Sequence, residues 1–314
     1  MSTATFGQAM NWSNKALYNL TTDLVPVRYI IPLLILCSLL IACDGTNNRP
    51  NELTVYDTTK YQRVSMNYEI LGSQDTALIF IHGWNLNMRY WDDQVRHFQS
   101  RYRILNLDLA GHGNSGKDRS NWTVENFARD ITHIMQKEGI DKAILVGHSL
   151  GGNIALQIST SVPERVLKVV AIDCFKNVSF EITEDFQNGF QEHFAKFKRN
   201  YTEMADEVAR EKTRTKNREV INRIVKDYKS ADPKIALAVY RNVIQSQAME
   251  KTQLKRLPFK LYLINSDYSP VDEEALREHA PYGYEIIPMF GAGHFPMVED
   301  PQQLNAALDS VLIR

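Results

Sequence analysis

From Asn51 onward, apolar and polar positions alternate between two periods. Short β-rich runs occur at Leu53–Tyr56, Val64–Leu71, Ala77–His82, Arg103–Leu107, Ala143–Val146, Lys168–Ile172, Lys260–Ile264 and Tyr284–Pro288. The later ones, such as AILV and KVVAI, are unbroken apolar runs, the pattern of parallel strands covered on both faces. Between them, Val124–Glu138, Gly152–Val162, Glu273–His279 and Pro301–Ile313 carry helical spacing. Asn121-Trp-Thr-Val-Glu and Asp300-Pro-Gln-Gln read as helix starts, the second with a polar cap and Pro in the first turn. The alternation predicts an α/β fold around a mostly parallel, eight-stranded sheet flanked by helices.

Between Ile172 and Lys260 the alternation stops. Glu184–Glu211, Asn217–Lys229 and Lys234–Met249 are amphipathic instead, and a structureless loop of that length is implausible in a compact domain. An inserted helical cap is expected there. Its centre is basic, with eleven Lys and Arg against seven Asp and Glu from Gln191 to Lys229. Because the charges are interleaved, they read as a solvated helix face, with attraction to anionic lipid or substrate as the functional alternative.

At the other end, Tyr29–Cys43 is an uncharged apolar run preceded by Lys15 and Arg28 and followed by Asp44-Gly-Thr-Asn-Asn-Arg-Pro50. A run of about 15 residues is short for a bilayer span but suits the apolar region of a secretory signal. Its end, Leu40-Ile41-Ala42-Cys43, resembles the bacterial lipobox, after whose cleavage a lipid-modified Cys becomes the first residue. An uncleaved membrane anchor is the alternative. The expected organisation is a signal over 1–42, a tether over 43–52, core over 53–176 and 257–314, and a cap over 177–256. Lipid on Cys43 would hold the protein at the membrane of a bacterial cell envelope, outside the cytoplasm. By the same resemblance, Asp44 favours retention at the inner membrane.

Composition narrows the function classes. The 314 residues hold 36 Lys and Arg against 37 Asp and Glu, so no basic excess points to nucleic acid. Three Cys exclude a disulfide scaffold, and Cys174, after an apolar strand, reads as core filler.

The chemistry is concentrated in a few segments. Ala143-Ile-Leu-Val-Gly147-His148-Ser149-Leu150-Gly151-Gly152 is a strand ending in G-x-S-x-G and entering a helix. Such a turn forces the Ser into a strained backbone geometry, so the flanking glycines are required. The hydroxyl then stands at a helix N-terminus, where developing negative charge is favoured. Ile79-Phe80-Ile81-His82-Gly83-Trp84 places a loop beside it, from which the Trp84 N–H, together with that of Leu150, would bind an oxyanion. Gly291-Ala-Gly293-His294-Phe295-Pro296 supplies a loop His that can act as general base. Asp108-Leu-Ala-Gly-His112-Gly-Asn-Ser115 reads as a structural turn.

Taken together, these motifs make the chain from about Leu53 to Arg314 resemble the α/β-hydrolases, in the capped subfamily that includes esterases, C–C hydrolases, epoxide hydrolases and haloalkane dehalogenases. The resemblance implies Ser149 as nucleophile and His294 as base. Ser at 149 speaks against epoxide hydrolase and dehalogenase activity, because those relatives carry Asp there. His82, His112 and His148 are expected to be structural. The acid departs from the pattern. In the family an Asp commonly sits three residues after a Gly ending the penultimate strand. Here that strand runs into Asn265-Ser266-Asp267-Tyr268-Ser269-Pro270, with Ser269 at the acid's place. Asp267 is the expected acid. Asp173, at the end of the preceding strand, is the alternative used by some capped relatives.

The function expected is hydrolysis of a carboxylic ester or related small acyl compound through an acyl-enzyme, with no metal or organic cofactor implied. C–C hydrolysis, lactone opening, amide cleavage and perhydrolysis use the same site. A non-catalytic binding module is the alternative from another class.

Overall fold

The computed structural model describes residues 61–313. Cys43, the apolar run before it, the tether and the first expected strand at 53–56 lie outside them. No described helix is long and apolar enough to cross a membrane.

Seven strands form one sheet among the described residues: β1 (Tyr68–Leu71), β2 (Ala77–Ile81), β3 (Arg103–Leu107), β4 (Ala143–His148), β5 (Val166–Ile172), β6 (Leu261–Ser266) and β7 (Tyr284–Met289). Their order is β1-β3-β2-β4-β5-β6-β7; β1 runs antiparallel to β3 and all other pairs are parallel. β2 and β4 are buried along their whole length, which is why their sequences are continuously apolar. The strand expected from Val64 pairs in the sheet only from Tyr68. Upstream of it, the Ser65 and Asn67 carbonyls accept the N–H groups of Gly116 and Asp108 at 2.7 and 2.9 Å, so this stretch is tied to the loop after β3.

Around the sheet stand α1 (Asp92–Phe98), α2 (Val124–Lys137) and α3 (Leu150–Ser161). Thr123 caps α2 by accepting the Asn126 N–H. The short α1, entered through a turn of tighter helix at Met88–Trp91, has too few residues to show a period in the sequence. Between β5 and β6 come four helices: α4 (Glu184–Arg199), α5 (Tyr201–Glu211), α6 (Arg218–Ser230) and α7 (Pro233–Leu254). The stretch 184–211 is two helices, not one, because Asn200 leaves the helical region at φ −126°, ψ 48°. Then follow α8 (Glu273–His279), α9 (Pro296–Glu299) and α10 (Pro301–Leu312), the last capped by Asp300 with Pro301 in its first turn.

The inserted helices close over the carboxyl edge of the sheet through aromatic contacts. Phe197, Tyr228 and Tyr240 bring their ring centroids to 5.9, 5.4 and 5.4 Å from that of Trp84, in the loop after β2. The Trp84 indole N–H donates to the Ala236 carbonyl at 2.9 Å, so its one polar atom is satisfied within the same contact.

Candidate active site

The residues singled out by sequence meet at the carboxyl ends of β2, β4, β5 and β7, the edge where open α/β sheets bind ligands. Ser149 follows β4 with φ 52° and ψ −117°, a left-handed conformation that costs on the order of 1–3 kcal/mol for a residue with a side chain. Its surroundings allow no alternative. A Cβ on Gly147 would lie 2.2 Å from the Gly151 carbonyl oxygen, and one on Gly151 equally close to that of Ile81. Although Ser149 occupies the N-cap of α3, its hydroxyl makes no capping hydrogen bond. The Leu150 N–H opens the helix and has no intrahelical acceptor.

The loop after β2 is held by His82. Its Nε2 accepts the Leu109 N–H at 2.9 Å, so Nδ1 carries the proton and donates to the Gly83 carbonyl at 2.8 Å. Burial keeps this imidazole neutral by lowering its pKa. His112 packs edge-on against it and is pushed down to about 3, again chiefly by burial. Asp108 accepts from the Met88 and Asn114 N–H groups at 2.7 and 2.8 Å, which gives the turn after β3 a structural role. Trp84 follows Gly83 directly, and its backbone is placed by these bonds.

His294 sits between two carbonyl bonds and one carboxylate. Its Nδ1 is 2.5 Å from Asp173 Oδ2. Its own carbonyl accepts the Nε2–H of His148 at 2.6 Å, and its N–H donates to the Lys212 carbonyl at 2.8 Å. The acid beside the imidazole is therefore Asp173 and not Asp267. The reason lies in strand alternation. At the end of β6, Ser266 points to Asp173 and donates to it from both N–H, at 3.1 Å, and hydroxyl. The next side chain faces the opposite way, so Asp267 pairs with Arg214 at 2.8 Å on the exposed side.

Asp173 follows β5 with φ 49°, a second strained position, and its carboxylate is fully buried. Besides His294 and Ser266 it takes the Lys176 ammonium at 2.7 Å. Burial alone would raise this carboxyl. The bond to His294 and the charge of Lys176 overcome it and hold the group far below the usual carboxylate range. Lys176 also donates to the Ser266 carbonyl and lies 4.1 Å from the Tyr268 ring centroid. The His294 imidazole is lowered by burial, partly restored by Asp173 and lowered further by the Lys212 charge, which leaves it neutral near pH 7.

Glu299, Lys176, Ser266, Tyr268 and Lys212 surround the site although their residue types alone did not flag them. The Glu299 carboxylate accepts four backbone N–H groups: Arg214 at 2.8, Thr215 at 2.9, Gly293 at 3.1 and Phe295 at 3.0 Å. It thereby ties the His294 loop to the segment between α5 and α6. Cys174 packs its sulfur against Gly152 and the Ser149 carbonyl and is buried, with its thiol pKa raised by that burial. Near it, Asn153 of α3 donates to the buried Glu250 of α7 at 2.8 Å, and burial pushes the Glu250 carboxyl up to about 8.

A cleft of about 540 Å³ opens elsewhere, between the Asn85–Arg89 loop, the 108–117 turn and the start of α7, and none of Ser149, Asp173 or His294 lines it. Among the described residues no group of three or more His, Cys, Asp or Glu is placed to hold a metal ion.

A family model for the alpha/beta hydrolase fold matches residues 76–278. Epoxide hydrolase 1 of Caenorhabditis elegans is 28% identical over 187 residues, covering 56% of this chain and 46% of its own length. 3-Oxoadipate enol-lactonase 2 of Acinetobacter baylyi is 24% identical over 270 residues, covering 82% of this chain and 97% of its own. Several other curated relatives are matched over only a third to a half of their own length. Among solved structures, a thermophilic esterase from Thermogutta terrifontis superposes with a TM-score of 0.68 at 20% identity, covering 80% of this chain and 93% of that one. The family model alone spans well over half of the sequence, and the chain belongs to the alpha/beta hydrolase fold family.

Proposed function

We propose that the protein is a serine hydrolase acting on a carboxylic ester or related acyl compound, with Ser149 as nucleophile, His294 as base and Asp173 as the acid. The observation that carries this reading is the His294 Nδ1–Asp173 bond of 2.5 Å beside a strained serine with an uncapped hydroxyl. With Nδ1 protonated and directed at Asp173, the neutral imidazole offers Nε2 to the Ser149 hydroxyl. Nε2 takes the hydroxyl proton as Oγ attacks the acyl carbon. The resulting oxyanion is met by the Trp84 and Leu150 N–H groups, each donor of this kind being typically worth ~3 kcal/mol. His294 then returns the proton to the leaving group, and a water activated by the same Nε2 releases the acyl chain. Asp173 stays ionised throughout, fixing the tautomer and stabilising the imidazolium.

Ser149 stands where epoxide hydrolases of the capped subfamily carry Asp, which favours acyl transfer over epoxide opening. The similarity to an enol-lactonase over 82% of the chain supports lactone opening as a second reading, since a lactone is an internal ester. Fluorophosphonate labelling tests the nucleophile: the wild-type chain should be modified at Ser149 and Ser149→Ala should not. Folded protein that resists labelling and hydrolyses no ester or lactone would refute the assignment.

The apolar run ending in Cys43 supports a lipid anchor at that residue. Incorporated palmitate should disappear in Cys43→Ala; incorporation that survives this change would refute the anchor.

A further inference from the structure

β5 ends in a loop that doubles back on itself. Asp173 at φ 49° and Phe175 at φ 54° both lie in the left-handed region, where a residue with a side chain stays only if its surroundings hold it. Here β6 does so. Asn265 grips Cys174 between them, donating to its carbonyl at 3.0 Å and accepting its N–H at 3.1 Å. Next along the loop, the Lys176 carbonyl accepts the Asp272 N–H at 2.9 Å. This curl returns the Lys176 side chain to Asp173, three residues back, with its ammonium 2.7 Å from Oδ1.

The two oxygens of the Asp173 carboxylate are thereby divided. Oδ1 accepts the Lys176 ammonium together with the N–H and hydroxyl of Ser266, whereas Oδ2 takes His294 Nδ1 at 2.5 Å. The ammonium also donates to the Ser266 carbonyl at 2.8 Å, and it lies 3.2 Å from the Ser266 hydroxyl oxygen and 4.1 Å from the Tyr268 ring centroid. Its side chain is 12% exposed and that of Asp173 fully buried, so water screens the pair little. The other charges around it are engaged or act through space. Arg214 and Asp267 pair at 2.8 Å, Glu299 accepts four backbone N–H groups, and Lys212 acts on the pair and on His294 without a contact. Burial raises the Cys174 thiol and the Tyr268 hydroxyl and lowers the His148 imidazole, so all three are neutral near pH 7.

We infer that Lys176 is a positioning residue of the proposed triad: it fixes the Asp173 carboxylate through Oδ1, leaving Oδ2 to His294, and partly cancels its charge. This deepens the serine-hydrolase reading and rests on it. The fixing matters because a carboxylate turned out of place would carry the imidazole away from the Ser149 hydroxyl. The cancelled charge matters for the base itself. A carboxylate already bound to an ammonium stabilises an imidazolium less, so His294 stays neutral, and able to take the Ser149 proton, down to lower pH.

The test measures para-nitrophenyl butyrate hydrolysis and the rate of fluorophosphonate labelling across pH on the full-length protein. Lys176→Met should lower kcat by about 10- to 100-fold, with KM within a few-fold of wild type because Lys176 acts through Asp173. The acid limb of kcat/KM and of labelling should move up by about one pH unit, since His294 then holds its proton more tightly. A residue that served only to fasten the loop would leave that limb in place. Lys176→Gln keeps a donor for the Ser266 carbonyl without the charge; it should move the limb the same way and supplies that reading if Lys176→Met does not fold. In the Asp173→Asn background, Lys176→Met should change kcat by no more than a few-fold. An unmoved limb, a kcat within a few-fold of wild type in Lys176→Met, or an equal loss in the Asp173→Asn background overturns the positioning role. Wild-type labelling at Ser149 then leaves the hydrolase reading standing; no turnover and no labelling in the wild type removes both.

Discussion

Replacing Asp173 and Asp267 separately by Asn separates two carboxylates that lie on opposite sides of one strand end. Asp173 is fully buried and serves His294, Lys176 and Ser266 together. In Asp173→Asn the amide presents an N–H₂ to groups that are all donors, so either the Lys176 ammonium or the His294 Nδ1–H loses its acceptor. Breaking a buried pair from one side costs about 3–5 kcal/mol. The lost control of the imidazole tautomer lowers kcat by about 10³–10⁴-fold. Asp267 and Arg214 each leave 42% of the side chain exposed, and such a pair is worth about 0–1 kcal/mol. Asp267→Asn should therefore keep turnover within a few-fold of wild type. Steady-state ester hydrolysis gives the rates, and urea unfolding monitored by circular dichroism gives the stabilities. The pH dependence adds a sign. The Asp173 carboxyl is depressed in the folded state, so its contribution is fully present above its unfolded value near 3.8 and fades as pH falls below it. Asp173→Asn should flatten that acid limb. A wild-type rate in Asp173→Asn, or a large loss confined to Asp267→Asn, would refute the assignment.

Glu250→Gln should stabilise the protein at alkaline pH. With a folded value near 8 against 4.5 unfolded, stability is unaffected below pH 4.5, falls by about 1.4 kcal/mol per pH unit between these values and levels off above 8. Gln keeps the acceptor for Asn153, so unfolding at pH 5 and pH 8 should differ less in the variant; an unchanged slope would count against the buried acid. Glu299→Ala removes one acceptor from four backbone N–H groups, and the resulting displacement of His294 should cut kcat by about 10–100-fold and slow fluorophosphonate labelling in parallel. A variant that melts earlier but turns over normally would reduce Glu299 to a fastening. Lys212→Met removes a charge that lowers His294, so the His294 pKa rises and the acidic limb of kcat/KM moves to higher pH; a limb that stays in place contradicts that coupling.

What the sequence made legible follows from how local each constraint is. The strand–Ser149–helix turn is written in contiguous residues, because Gly147 and Gly151 are demanded by atoms only a few positions away in the fold. His294 was legible for a similar reason, its loop being bounded by Gly291 and Gly293. The choice between Asp267 and Asp173 was not, since it depends on which side of β6 each residue faces and on what the neighbouring strand offers. Ser266, read as a departure from the family's Gly, sits against the carboxylate proposed as the acid. Its N–H and hydroxyl both donate to Asp173 from the end of the next strand. A glycine there would supply only the N–H, and the carboxylate would lose its hydroxyl donor. The Ser266 hydroxyl and the Asp173 carboxylate thus meet across the ends of β5 and β6. Lys212 and Glu299 were out of reach by the same physics taken further. Both act through contacts between the inserted helices and the His294 loop, some 80 residues apart in the chain, and no local spacing records such a contact.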